Sequence, residues 1–134
     1  MTGNRRLDAG GPELVLVYGT LMAGECNHHW LAGAPLLERM ALAGLVLHDL
    51  GPYPMAVRAA EMSTGPADAE LEAELYGLSW SLLLELDRLE DHPREYQREA
   101  WPLADGRKAW IYLGRAHQVR GRPRIASGRW RQRG

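Results

Sequence analysis

Along most of the chain, apolar and polar positions alternate or form short apolar runs, and few stretches carry the 3.6-residue period of a long helix. Glu13 to Tyr18 is a short β-branched-rich run stopped by Gly19, which predicts a buried first strand. Gly24 and Asn27 mark a loop, and Asn27 is placed to cap a short helix from His28 to Leu31. Arg39 to Leu47 reads as one strand. Leu50-Gly51-Pro52-Tyr53-Pro54 breaks regular structure, because each proline removes a backbone donor, and Met55 to Ala59 resumes as a strand. Ser63 to Asp68, with Gly65-Pro66, is a loop. In Leu71 to Leu75 leucine and alanine alternate with Glu72 and Glu74, so one face is predicted buried and the acids wet; Tyr76 to Leu78 ends that strand. Glu99 to Leu103 and Lys108 to Leu113 flank Asp105-Gly106, a hairpin signal.

The clearest helix starts at a Ser79 or Ser81 cap and runs to about Asp91, where Pro93 bars continuation. With Leu82 at ~0°, Leu86 falls near ~40°, Leu83 near ~100° and Leu89 near ~340°, which defines one apolar arc. Glu90 falls near ~80°, inside it, whereas Glu85 and Asp87 lie roughly 40° beyond its edges. Glu90 is therefore the acid this helix turns inward. A partly desolvated carboxylate has a raised pKa and accepts protons near neutral pH. Two bland readings stand beside that one: Glu90 frays outward from the last turn, or it pairs with an arginine such as Arg98.

The 134 residues fit a single domain, with residues 1–12 expected to be flexible and 131–134 a tail. Six strands and two helices without regular βαβ alternation predict an α+β fold, a curled sheet or barrel flanked by helices. One cysteine, Cys26, excludes an internal disulfide and a cysteine-rich zinc site. No run approaches the roughly 18 apolar residues of a membrane helix, and residues 1–12 lack a signal-peptide core, so the expected location is cytoplasmic. Net charge is −1 but unevenly spread: ten acids lie in residues 61–95, and seven arginines with no acid lie in 115–134. The basic end is read as solvated or folded back on the acidic middle. Nucleic-acid binding is the less favoured alternative, since no zinc-finger spacing or aromatic-basic motif accompanies it.

Tyr18-Gly19-Thr20-Leu21 follows the first strand directly. Gly19 permits a sharp turn, after which successive amides can converge on an anion or a developing oxyanion. The longer glycine spacing of a nucleotide phosphate loop is absent. His28 and His29 are adjacent and diverge, so they form no metal site, and His48-Asp49 face opposite sides of a strand.

Val17 to Leu21, then Gly24 and Asn27, then Leu50 to Pro54, Glu74-Leu75-Tyr76, Leu86 to Glu90, Tyr96-Gln97-Arg98, Ala109 to Tyr112 and Ile125 to Trp130 resemble, in order and spacing, the landmarks of the gamma-glutamylcyclotransferase-like (AIG2-like) family. The resemblance spans residues 17–130. It implies a small mixed β-barrel of about six strands with flanking short helices. It implies that Tyr18, Gly19, Thr20 and Leu21 cradle a small-molecule γ-glutamyl substrate, that Glu90 is the acid/base, and that 5-oxoproline is released with no metal or other cofactor. Tyr53, Tyr96 and Tyr112 are candidate pocket-wall contacts. Two positions depart from the family pattern: Asp91 stands where glycine is common, and Arg129 where an acid is common. The rival reading is a non-catalytic module that binds a small carboxylate or amine on the same fold.

Overall fold

The structure, a computed structural model, describes residues 12–62 and 68–132. The flexible segment expected at 1–12, apart from Pro12, and the loop residues 63–67 lie outside the described residues, as do 133–134 of the tail. Among the described residues seven strands form: β1 (Glu13–Val17), β2 (Leu36–Ala43), β3 (Leu45–Asp49), β4 (Pro54–Arg58), β5 (Glu70–Leu78), β6 (Gln97–Pro102) and β7 (Lys108–Leu113). The α-helix α1 (Trp80–Leu89) lies between β5 and β6. Five strands make one mixed sheet in the order β2-β5-β1-β7-β6, and β3 and β4 form a separate ribbon.

β1 sits at the centre because every side chain from Leu14 to Val17 is apolar and both edges are paired. It runs antiparallel to β5, with Val15 opposite Tyr76, and parallel to β7, with Leu16 opposite Ile111. Alternation divides the strands between two apolar clusters. Val15, Val17, Tyr76, Leu78, Trp110 and Tyr112 join Leu83 and Leu86 of α1, while Leu16, Leu71, Ala73, Leu75 and Ile111 join Leu45 and Leu47 of β3 and the C-terminal Ile125 and Trp130. A strand with apolar groups on both faces reads as a continuous run, as β1 does.

The single strand predicted over Arg39–Leu47 is two. Gly44, at φ +87°, turns the chain out of the main sheet into the ribbon. This is why seven strands form where about six were expected; the apolar character runs unbroken through the turn and hides it. The α+β class is as expected, but the barrel is not closed. The ribbon approaches the sheet from both sides instead: the Gly44 amide donates to the Ala69 carbonyl beside β5, and the Gly114 amide donates to the Ala56 carbonyl of β4, each at 2.9 Å. The C-terminal segment then crosses the ribbon and reaches β5, through Ile125 N–H to Leu47 O at 2.8 Å and Glu72 N–H to Gly128 O at 2.9 Å.

Candidate active site

α1 begins as predicted: the Ser79 hydroxyl accepts from the Leu82 amide at 3.1 Å. Its end is a left-handed cap. The Asp91 amide donates to Arg88 O and the His92 amide to Asp87 O, the paired bonds of a Schellman motif, with Asp91 at φ +53°. Glu90 is the last residue before this reversal. It is half-buried, and the reversal brings its side chain to the wall of a cavity rather than letting the turn fray. Burial, reinforced by the negative charge of Glu95, pushes its carboxyl up to about 7.

The loop after β1 forms another wall of the same cavity. The Met22 amide closes a turn onto Gly19 O at 3.0 Å, and the Asn27 amide reaches Thr20 O at 2.9 Å. Asn27 does not cap the 3-10 turn His28–Leu31 as expected; its side-chain amide donates instead to the Thr20 hydroxyl at 3.1 Å. That choice leaves the Thr20 proton to donate elsewhere. The amides of Gly19, Thr20 and Leu21 make no hydrogen bond to another described residue. Gly19 is required by packing rather than by a positive φ. A Cβ there would lie 2.5 Å from Cγ of Pro54, so the proline ring sits directly on the loop backbone.

The cavity holds about 300 Å³. Tyr18, Gly19, Thr20, Leu21, Tyr53, Glu90, Tyr96 and Tyr112, the eight residues singled out from sequence, all line it, together with Asn27, Pro54, Leu89, Asp91 and Glu95. Residues from β1, the β3–β4 connection, the end of α1 and β7 thus converge on one space.

A sequence model of the gamma-glutamyl cyclotransferase, AIG2-like family matches residues 15–132. The chain belongs to that family. The gamma-glutamylcyclotransferase family protein YtfP of Escherichia coli K12 is 33% identical over 119 residues, covering 89% of this chain and 96% of that one. A Vibrio cholerae protein, whose name assigns it provisionally to gamma-glutamylcyclotransferases, is 38% identical over 125 residues, covering 90% and 96%. The solution structure of E. coli YtfP superposes with a TM-score of 0.65 at 33% identity, covering 87% and 95% of the two chains. A mouse AIG2-like crystal structure, at 23% identity and a TM-score of 0.64 over 84% and 85%, shares the fold.

Within the family frame, both departures have a structural account. Asp91 occupies the left-handed position that favours glycine, and short polar side chains tolerate it best among the others. Its carboxylate is drawn to Arg94 at 2.9 Å. Arg129 lies 3.8 Å from Glu72, so the basic end does fold back on the acidic middle.

Three acids were misjudged or passed over. Glu90 is not the only carboxylate α1 turns inward: Asp87 is buried as well, held by Arg98 Nε at 2.7 Å and by the Tyr112 hydroxyl at 2.7 Å. Arg98, weighed as a partner for Glu90, belongs to Asp87 instead. Glu74, expected in water, is fully buried on β5. Burial alone pushes its carboxyl up, but bonds from the Ala23 amide, Tyr76 and Arg39 outweigh that, aided by the charge of Arg131, and hold it below its ordinary value. Glu95 lines the cavity and accepts from the Tyr53 hydroxyl at 2.8 Å. Its position two residues after Pro93, beyond the helix, carried no periodic signal.

The tyrosines of the wall have committed their protons. Tyr18 donates to Tyr112 O at 2.6 Å, Tyr96 to Pro54 O at 2.6 Å, Tyr112 to Asp87 and Tyr53 to Glu95. Burial pushes the Tyr18, Tyr96 and Tyr112 hydroxyls far above their usual range, so they stay neutral and offer lone pairs. Among the described residues of the lining, the loop amides and Thr20 can donate to a ligand, and Glu90 can take a proton.

Proposed function

We propose that this protein cyclises the γ-glutamyl group of a γ-glutamyl amine or peptide, releasing 5-oxoproline and the free amine. The observation that carries this reading is the division of labour in the cavity. Amides with no partner among the described residues and the Thr20 hydroxyl stand on one wall, and a carboxylate that titrates near pH 7 stands on another. An α-carboxylate suits the first wall and an α-ammonium the second.

The reaction runs in two halves. Glu90 takes a proton from the substrate's α-ammonium. The freed amine attacks the γ-carbonyl carbon of the same molecule, and a C–N bond closes a five-membered ring. Glu90 then gives the proton to the departing nitrogen as the original amide C–N bond breaks, and takes the second proton from the ring nitrogen and passes it to the released amine, which leaves as an ammonium beside neutral 5-oxoproline. Nucleophile and electrophile belong to one molecule, so a cavity that holds the chain folded supplies much of the rate by orientation. A single positioned acid/base adds typically ~10²–10⁴-fold. Neutral tyrosines exclude water, and their lone pairs accept from the ammonium without competing for the proton.

The test is 5-oxoproline release from a panel of γ-glutamyl amines and γ-glutamyl amino acids, by wild type and Glu90→Gln. Wild type turns over at least one class, and Glu90→Gln loses ~10²-fold or more in kcat. Binding of 5-oxoproline with no turnover across the panel favours a binding module instead, and undiminished turnover by Glu90→Gln removes Glu90 from its role.

A further inference from the structure

The loop that lines the cavity is held from behind by a network that reaches to the C-terminus. Ala23 follows the Gly19–Met22 turn directly. Its amide donates to Glu74 Oε1 at 2.8 Å, and its carbonyl accepts from the Arg131 guanidinium. Arg131 also lies 3.3 Å from Glu74 Oε2 and 3.8 Å from Glu25. Both polar groups of Ala23 are therefore pinned, one by a buried carboxylate and the other by the arginine paired with that carboxylate. The Tyr76 hydroxyl, at 2.9 Å, fixes Glu74 from its own strand, and Arg39 approaches from the edge strand at 3.2 Å.

A fully buried carboxylate with four donors is not explained by the reaction, in which it takes no part. We infer that Glu74 and Arg131 are positioning residues that latch the substrate loop, so that the C-terminal turn of the chain sets the aim of the Gly19–Leu21 amides. The inference rests on the reading above, in which those amides hold the substrate's glutamyl end.

The planar fork of arginine suits this post, because one guanidinium reaches a carbonyl and a carboxylate together, whereas an ammonium is a single point charge. Loosening the latch leaves Glu90 and the ring-closing geometry untouched and weakens the grip on the glutamyl end in ground and transition states alike. Such a loss appears in KM and not in kcat.

The experiment measures steady-state 5-oxoproline release from γ-glutamyl-n-butylamine and calorimetric binding of 5-oxoproline, using the full chain. Arg131→Ala is expected to raise KM on the order of tenfold with kcat within about twofold, and to weaken 5-oxoproline binding in proportion. Arg131→Lys restores part of the loss. Glu74→Gln raises KM similarly, and combining it with Arg131→Ala adds little, since both open the same latch. Arg129→Ala, which removes a pair with Glu72 and no loop contact, leaves KM unchanged. Hydrogen exchange over residues 19–25 rises in Arg131→Ala and not in Arg129→Ala, a readout that does not depend on turnover. The latch is overturned by a KM within twofold of wild type in Arg131→Ala, by a fall in kcat alone, or by an equal rise in Arg129→Ala. A wild-type protein that neither turns over γ-glutamyl-n-butylamine nor binds 5-oxoproline overturns the latch as a device for this substrate, and the panel above then decides the broader reading.

Discussion

Glu90 joins chemistry and stability in one side chain. As a base it works only when ionised, and its carboxyl titrates at about 7. The rate at low substrate concentration should therefore climb with pH through an acid limb near that value. Glu95→Gln removes the neighbouring negative charge that helps raise Glu90, and moves this limb to lower pH; a pH–kcat/KM profile checks it. The same shift opposes folding. Protonated Glu90 is favoured in the folded state, so its contribution is fully present below pH 4.5 and is lost as pH rises through about 7. Glu90→Gln, which stays neutral, should match wild type in stability near pH 4 and exceed it at pH 8 by on the order of 1–3 kcal/mol, read from urea midpoints. An inactive variant that is more stable than wild type is the usual mark of a functional carboxylate.

At the level of the element, α1 matters most, because its end sets the direction of Glu90. The start of this helix was legible to within Ser79 or Ser81, and its stop was bounded by Pro93. Which of its acids go inward was legible only in part. Helical angles separate side chains by their own direction, and they carry no information about Arg98 or Tyr112, ten and more residues downstream, which draw Asp87 into the interior. Asp87→Ala should lose about 3–5 kcal/mol, since it leaves the Arg98 guanidinium buried without its carboxylate. Asp91→Gly should gain up to about 1 kcal/mol by relieving the left-handed position, with little lost from the exposed Arg94 pair. Denaturant unfolding of both variants distinguishes a cap effect from a core effect by size and sign.

Across the whole molecule, the C-terminal segment ties the ribbon to the main sheet. Trp130 is 2% exposed and packs with Leu75 and Ile125, and Gly128 passes so close that a Cβ would lie 2.0 Å from the Glu70 carbonyl oxygen. Trp130→Ala should lose about 3–5 kcal/mol, measured by thermal or chemical denaturation. A segment rich in arginine thus behaves as core at Trp130 and as an ion-pairing face at Arg129 and Arg131.

Local pattern determined a good deal. The positions of β1 and β7, the hairpin between β6 and β7, the stop of α1 and the turn at Tyr18–Leu21 follow from apolar period, proline and glycine within a few residues of each point. These features are short-range because backbone conformation and side-chain direction are set by near neighbours. Only the tertiary structure decided the rest. Gly44 splits one apolar run between two sheets, Glu74 goes inward against its alternation, and Glu95 stands beside Glu90. A buried charge survives only with partners, and those partners arrive from distant parts of the chain: Arg131 is 57 residues from Glu74. What holds the Tyr18–Leu21 loop in place is as remote from its local pattern: Ala23 lies 51 residues from Glu74 and 108 from Arg131.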